Sequence, residues 1–290
     1  VNESARPLSE RKEKRDNFMR LLLRCCSPLP SSRSARLFTI ELLRSFIIIS
    51  IFLFVLFPGC TASKTSLKKK SQALENLGNS LIQQGDLRGG LEKLLEANKL
   101  DPENANIHNE LGLVYRDFGA YQKSLIHFKK ALALKSKFSE AQNNLGTLYL
   151  LLKEWNLALD CFQKAVSDIL YKTPHFAFNN MGLAYYNKGN YQKAIESYQK
   201  ALRLFPSYSL CYENLARSYE VTNQWGLAIE AYKKSIYYAP NYPMSHFNLA
   251  RLYLQFNRND EAAKELKLTI EIDPKGFYGS EANRLLRDIQ

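Results

Sequence analysis

Written in rows of 34 residues from Ser71, the chain repeats itself six times. LeuGly falls at 77–78, 111–112 and 145–146; after a two-residue insertion MetGly falls at 181–182, and LeuAla follows at 215–216 and 249–250. A fixed period of this length means a stack of similar units, each too small to bury its own apolar face and so dependent on its neighbours. The remaining columns have packing reasons. Large groups stand at the eleventh place (Leu81, Tyr115, Tyr149, Tyr185, Tyr219, Tyr253) and at the twenty-fourth (Leu94, Phe128, Phe162, Tyr198, Tyr232, Leu266). Small residues at the eighth place and at the twentieth (Gly90, Ser124, Ala158, Ala194, Ala228, Ala262) let two helix backbones approach closely. Pro102, Pro206, Pro240 and Pro274 stop four of the second helices, because proline cannot continue one. The aromatic columns are therefore core, not a cofactor box.

This period and signature resemble the tetratricopeptide repeat, a pair of antiparallel helices. The resemblance implies an all-α, right-handed superhelical solenoid of six tetratricopeptide repeats, at 71–104, 105–138, 139–174, 175–208, 209–242 and 243–276, closed by a capping helix over 277–290. It also implies that the first helix of each pair lines a concave groove.

The sixth place of that first helix holds Asn76, Glu110, Asn144, Asn180, Asn214 and Asn248. A carboxamide both donates and accepts, so such a ladder is able to clamp the backbone of an extended client; the alternative is a ladder bonded locally within the chain. The second, fifth, ninth and twelfth places share the same face by their spacing. They are Phe176, Asn179, Leu183 and Tyr186 in the fourth repeat and Met244, Phe247, Arg251 and Leu254 in the sixth, rows apolar enough to mark a partner site; the alternative is that adjacent first helices cover them. Glu75, Asn109 and Asn143 hold the fifth place where a carboxylate clamp needs basic groups, which disfavours acidic C-terminal tails as clients.

Ahead of the repeats, Phe46 to Phe57 is a run apolar but for Ser50, with Arg33, Arg36 and Arg44 upstream and Pro58, Gly59 and Cys60 downstream. A spanning helix needs about 20 apolar residues, so the run fits the core of an export signal better than a permanent span. Residues 1–36 are long for the polar head of such a signal, which makes Met19 a candidate start. LeuPheProGlyCys resembles the lipobox of bacterial lipoproteins, which implies cleavage of the leader 1–59 and lipidation of Cys60; Phe57 and Pro58 depart from the usual pattern. Residues 60–70 then read as a flexible, lipidated polar tether. Thr61, where an aspartate would resemble an inner-membrane retention signal, points to the outer membrane, with the repeats facing the periplasm.

The formal charge of +12 raises the question of nucleic acid. Downstream of Cys60 it falls to 30 Lys and Arg against 23 Asp and Glu, scattered, with one cluster at Lys68, Lys69 and Lys70 and no basic stripe interleaved with stacking aromatics. No nucleic acid is expected. Cys161 and Cys211 lie inside repeats as small packing groups, and no CxxC or Cys/His ligand spacing occurs. The four histidines, His108, His127, His175 and His246, form no HExxH, and GxSxG, phosphate-loop and dinucleotide signatures are missing. No catalysis, metal, cofactor or small-molecule substrate is expected.

A lipobox followed by six such repeats resembles the pilotin lipoproteins of type IV pilus systems. The junction Tyr171-Lys172-Thr173-Pro174 ahead of the strongly conforming fourth repeat adds to that resemblance. It implies a protein partner, a secretin subunit, whose assembly at the outer membrane the lipoprotein promotes while held there by its lipid. Two other readings keep the anchor and the solenoid: a periplasmic adaptor that regulates peptidoglycan enzymes, and a component of outer-membrane protein insertion.

Overall fold

The computed structural model describes residues 59–289, with side chains from Lys64 onward. The leader, with its apolar run and the candidate start, lies outside the described residues. The chain divides into two compact units at Ser66, and the second, Leu67–Gln290, holds the repeats.

Among the described residues thirteen helices occur and no strand, the all-α repeat architecture read from the sequence. They are α1 (Gly59–Gln83), α2 (Leu87–Leu100), α3 (Ala105–Asp117), α4 (Tyr121–Leu134), α5 (Ser139–Leu151), α6 (Trp155–Val166) and α7 (Pro174–Asn187). There follow α8 (Tyr191–Leu204), α9 (Ser209–Val221), α10 (Trp225–Tyr238), α11 (Pro243–Gln255), α12 (Asn259–Ile272) and α13 (Phe277–Asp288). Each odd helix pairs with the next, and each pair stacks on its neighbour. None of these helices is long and apolar enough to cross a membrane.

The stretch Thr61–Lys70, read above as a flexible tether, is instead part of α1. No proline or glycine interrupts the sequence from Cys60 to Leu77, and serine and lysine at a helix end cost little, so the helix nucleated by the first repeat continues upstream. Cys60 stands in its first turn.

Inside the second, third and fourth pairs the eighth-place glycine lies against the twenty-fourth-place ring, and in the first Gly78 lies against Leu94. A Cβ on Gly182 would come within 2.4 Å of the Tyr198 ring, so only glycine permits this approach. Phe128, Phe162 and Tyr232 are fully buried in the same column. The prolines act as expected: α8 ends two residues before Pro206 and α12 two before Pro274.

The turn inside every repeat carries a feature the columns did not reveal. Its fifteenth place is left-handed in all six: Gly85, Gly119 and Gly189, but also Lys153 (φ 61), Asn223 (φ 59) and Asn257 (φ 55). Glycine and asparagine tolerate that conformation, whereas lysine is strained in it.

The insertion between the third and fourth repeats forms the loop from Ser167 to Thr173. Tyr171 is buried against Phe162 and Met181, while Ile169 and Leu170 stand out at 95% and 81% exposure. At the other end α13 covers Phe247, Ala250 and Leu266 with the fully buried Ala282.

Candidate functional site: the inner face of the first helices

The carboxamide ladder exists, and its hydrogen bonds run between repeats. Asn144 Nδ2 donates to Asn109 Oδ1 at 3.0 Å, Asn180 Nδ2 to Asn143 Oδ1 at 3.3 Å and Asn214 Nδ2 to Asn179 Oδ1 at 3.1 Å. Asn248 Nδ2 donates to Glu213 Oε1 at 2.7 Å. From the third repeat onward, the sixth place of one repeat thus donates to the fifth place of the repeat before it. Asn179 Nδ2 passes the pattern on to Asn180 Oδ1 at 3.4 Å, so one chain of donors crosses from α9 through α7 to α5. Asn76, in the first repeat, has no earlier partner; it is exposed and accepts only from Gln72, at 3.2 Å.

Of the two readings of the ladder, this placement matches the one bonded within the chain. Asn214 and Asn179 are buried, at 8% and 3% exposure, and Asn144, Asn180 and Asn248 are half-buried. Each of these amides already donates one bond within the chain, because two first helices lie side by side at that register. The partner column was visible as Asn109, Asn143, Asn179 and Glu213, but a carboxamide looks the same in sequence whether its partner is a client or a neighbour.

One rung differs. Glu110 takes the donor's place opposite Glu75, so two carboxylates meet where every later pair joins a donor to an acceptor. Burial raises the pKa of Glu110 above the usual carboxylate range, and the charge of Glu75 adds to the rise against a weak bond from Asn109. Glu75 is raised too, by burial first and against the bond it accepts from Gln72.

Beside the bonded amides, the face also presents apolar and cationic groups. Phe176 remains 41% exposed, edge-on to Tyr208 at 5.5 Å and beside His175 at 4.3 Å. Leu183 and Tyr186 are half-buried, and the Arg217 guanidinium lies 5.3 Å from the Tyr186 ring centre. Phe247 is buried at 8% exposure, its ring 5.6 Å from Tyr278 of the capping helix, so it supports the wall of the groove more than its surface. A pocket of about 550 Å³ opens here, between α11 and α13.

The histidines pair between the fourth and twenty-third places of their repeats. His108 and His127 face each other Nδ1 to Nδ1 at 3.0 Å, with His108 Nε2 3.0 Å from the Pro102 carbonyl. The carbonyl can only accept, so His108 carries its proton on Nε2, and His127 must donate from Nδ1. His246 repeats the carbonyl bond, to Pro240 at 2.9 Å, but meets Glu265 at 2.6 Å. Cys161 and Cys211 are buried free thiols, and burial pushes the Cys161 thiol up to about 11, which leaves it unreactive. Among the described residues no group of three potential metal ligands occurs.

Models of the tetratricopeptide repeat match residues 78–117, 105–138, 175–208 and 222–289. The chain is a tetratricopeptide-repeat protein. It is 31% identical over 165 residues to the lipoprotein NlpI homolog of Haemophilus influenzae, across 54% of this chain and 51% of that one. It is 28% identical over 128 residues to the type IV pilus assembly protein PilF of Pseudomonas aeruginosa, across 44% of this chain and 51% of that one. These matches span about half the length of both relatives, and that to the bovine BBSome member BBS4 spans 25% of it. The solved structure of Pseudomonas aeruginosa PilF superposes with a TM-score of 0.67 over 76% of this chain and 99% of its own, at 22% identity. PilW, described as a widely conserved type IV pilus biogenesis factor, gives 0.68 over 76% and 97%, at 21% identity. At these identities the superpositions show the shared fold. The resemblance to the type IV pilus group read from the sequence is met by the likeness in sequence to PilF.

Proposed function

We propose that this protein is an outer-membrane lipoprotein scaffold, acylated at Cys60, that holds a secretin subunit in its inner groove and promotes assembly of the secretin ring for type IV pilus biogenesis. The observation that carries the reading is the row of Phe176, Leu183 and Tyr186, exposed to half-buried, on an inner face whose asparagines bond between repeats. An apolar row on a solenoid face is a surface for a protein partner. The likeness in sequence to PilF supports the setting in type IV pilus assembly, and the lipid would concentrate scaffold and client at one membrane. The scaffold does no chemistry of its own in this reading.

The likeness to the lipoprotein NlpI homolog favours a second reading, a lipoprotein adaptor with a globular partner, here an enzyme acting on peptidoglycan. One experiment separates the two. In cells carrying Cys60→Ala, fatty-acid label should be lost from the protein and secretin should accumulate as monomers. Normal secretin multimers in the unlabelled mutant would overturn the pilus reading, and altered peptidoglycan cross-linking in its place would favour the adaptor.

A further inference from the structure

We propose that the pocket between α11 and α13 takes an aromatic or large aliphatic side chain of the client together with a side-chain carboxylate adjacent in sequence, the carboxylate meeting Arg251. This rests on the groove reading above and names the chemistry of the segment bound at its C-terminal end. The volume of about 550 Å³ holds one large side chain and the backbone beside it. Its walls are Phe247 and Leu254 from the last repeat and Phe277, Tyr278 and Leu285 from the capping helix. Phe277 is 70% exposed, its ring edge-on to Tyr278 at 5.3 Å.

Two guanidinium groups border the pocket, and only one is available. Arg284 is held by Glu281 at 2.8 Å and lies 3.8 Å from Asp288, so its charge is matched within α13. Arg251 makes no ion pair among the described residues; its bond runs from Nη1 to Asn248 Oδ1, at 3.3 Å.

The position of Arg251 follows from the ladder. Glu213 is fully buried, with Oε2 accepting from Ser245 at 2.8 Å and Oε1 from Asn248 Nδ2 at 2.7 Å. An amide that donates inward to a fixed carboxylate turns its oxygen outward, and that oxygen receives Arg251. The last rung therefore places a guanidinium in the lining of the pocket, beside its apolar walls and with Asn248, Glu281 and Arg284. Guanidinium is weakly hydrated and binds carboxylate in a planar fork, so a carboxylate beside an apolar anchor completes the site.

The test uses the full chain in non-ionic detergent and three dye-labelled peptides, acetylated and amidated to remove terminal charges: Gly-Phe-Asp-Gly, Gly-Phe-Asn-Gly and Gly-Ala-Asp-Gly. Fluorescence anisotropy should show the Phe-Asp peptide binding at least five-fold more tightly than either other. Arg251→Gln should reduce it to the Phe-Asn level, while Arg284→Gln should keep the preference. Equal affinities in the wild type, a preference that survives Arg251→Gln, or no binding of any peptide would overturn the pocket assignment. The groove reading fails separately, if substitutions at Phe176 and Tyr186 leave client affinity unchanged.

Discussion

Asn214 on α9 donates its side-chain amide to the side-chain oxygen of Asn179 on α7, 3.1 Å away, with both groups buried. The bond joins consecutive repeats at the register where sequence alone suggests an open clamp. Removing the donor leaves a buried oxygen unpaired, which costs about 1 to 3 kcal/mol. Asn214→Ala should therefore destabilise the fold by about 1 to 2 kcal/mol, and Asn180→Ala, half-buried, by less. Urea unfolding of the purified variants checks the order.

The Glu75/Glu110 rung predicts the opposite sign. Glu110→Gln supplies the amide that every later rung has and should stabilise by about 0.5 to 1.5 kcal/mol at neutral pH. Both carboxyls have raised pKa values in the folded state, so their contribution is fully present below about pH 4.5 and is lost as pH rises through the folded values. The gain from Glu110→Gln should accordingly vanish on acidification to pH 4. Equal gains at pH 4 and pH 7 would show that the two carboxylates do not interact.

The two histidine pairs should respond to acid in opposite ways. Burial, reinforced by the facing His108, pushes His127 down to about 4, so the stability it contributes is present above about pH 6.5 and is lost as pH falls towards 4. His246 is held above the usual range by Glu265 and the Pro240 carbonyl, which outweigh its burial. Its contribution is full below about pH 6.5 and is lost as pH rises through its folded value. Amide exchange, corrected for intrinsic rates, should show the second repeat losing protection between pH 7 and pH 5 while the sixth keeps it. His127→Gln should remove that asymmetry.

Lys153→Gly should stabilise the protein by about 0.5 to 1 kcal/mol. The left-handed turn strains a lysine, and the entropy glycine adds to the unfolded chain offsets only part of the relief. Thermal unfolding measures it; no gain would mean that contacts of the Lys153 side chain compensate.

Much of this fold was legible because its packing recurs. The Gly182 and Tyr198 columns repeat in every row, so a single contact is written six times. The left-handed fifteenth place was not legible, since Gly85, Lys153 and Asn223 share a backbone angle and no side-chain character. The inner face was half legible: the apolar row through Phe176 and Tyr186 could be placed by helical spacing, but the partner of Asn214 is 35 residues away in sequence and appears only once two repeats are stacked. The helix through Thr61–Lys70 was missed because a polar segment without breakers reads equally as linker or as helix until something nucleates it.

The central claim is that the asparagines of the inner face hold repeats together while its apolar row holds the client. It is tested most directly by measuring Tm and Kd, against purified secretin, for two double mutants in parallel. Asn180→Ala with Asn214→Ala should lower Tm by several degrees and leave Kd within about two-fold of wild type. Phe176→Ser with Tyr186→Ser should weaken binding at least ten-fold, about 1.4 kcal/mol or more, with a smaller change in Tm. Wild-type Kd in the apolar pair, or a weakened Kd at unchanged Tm in the asparagine pair, would contradict it.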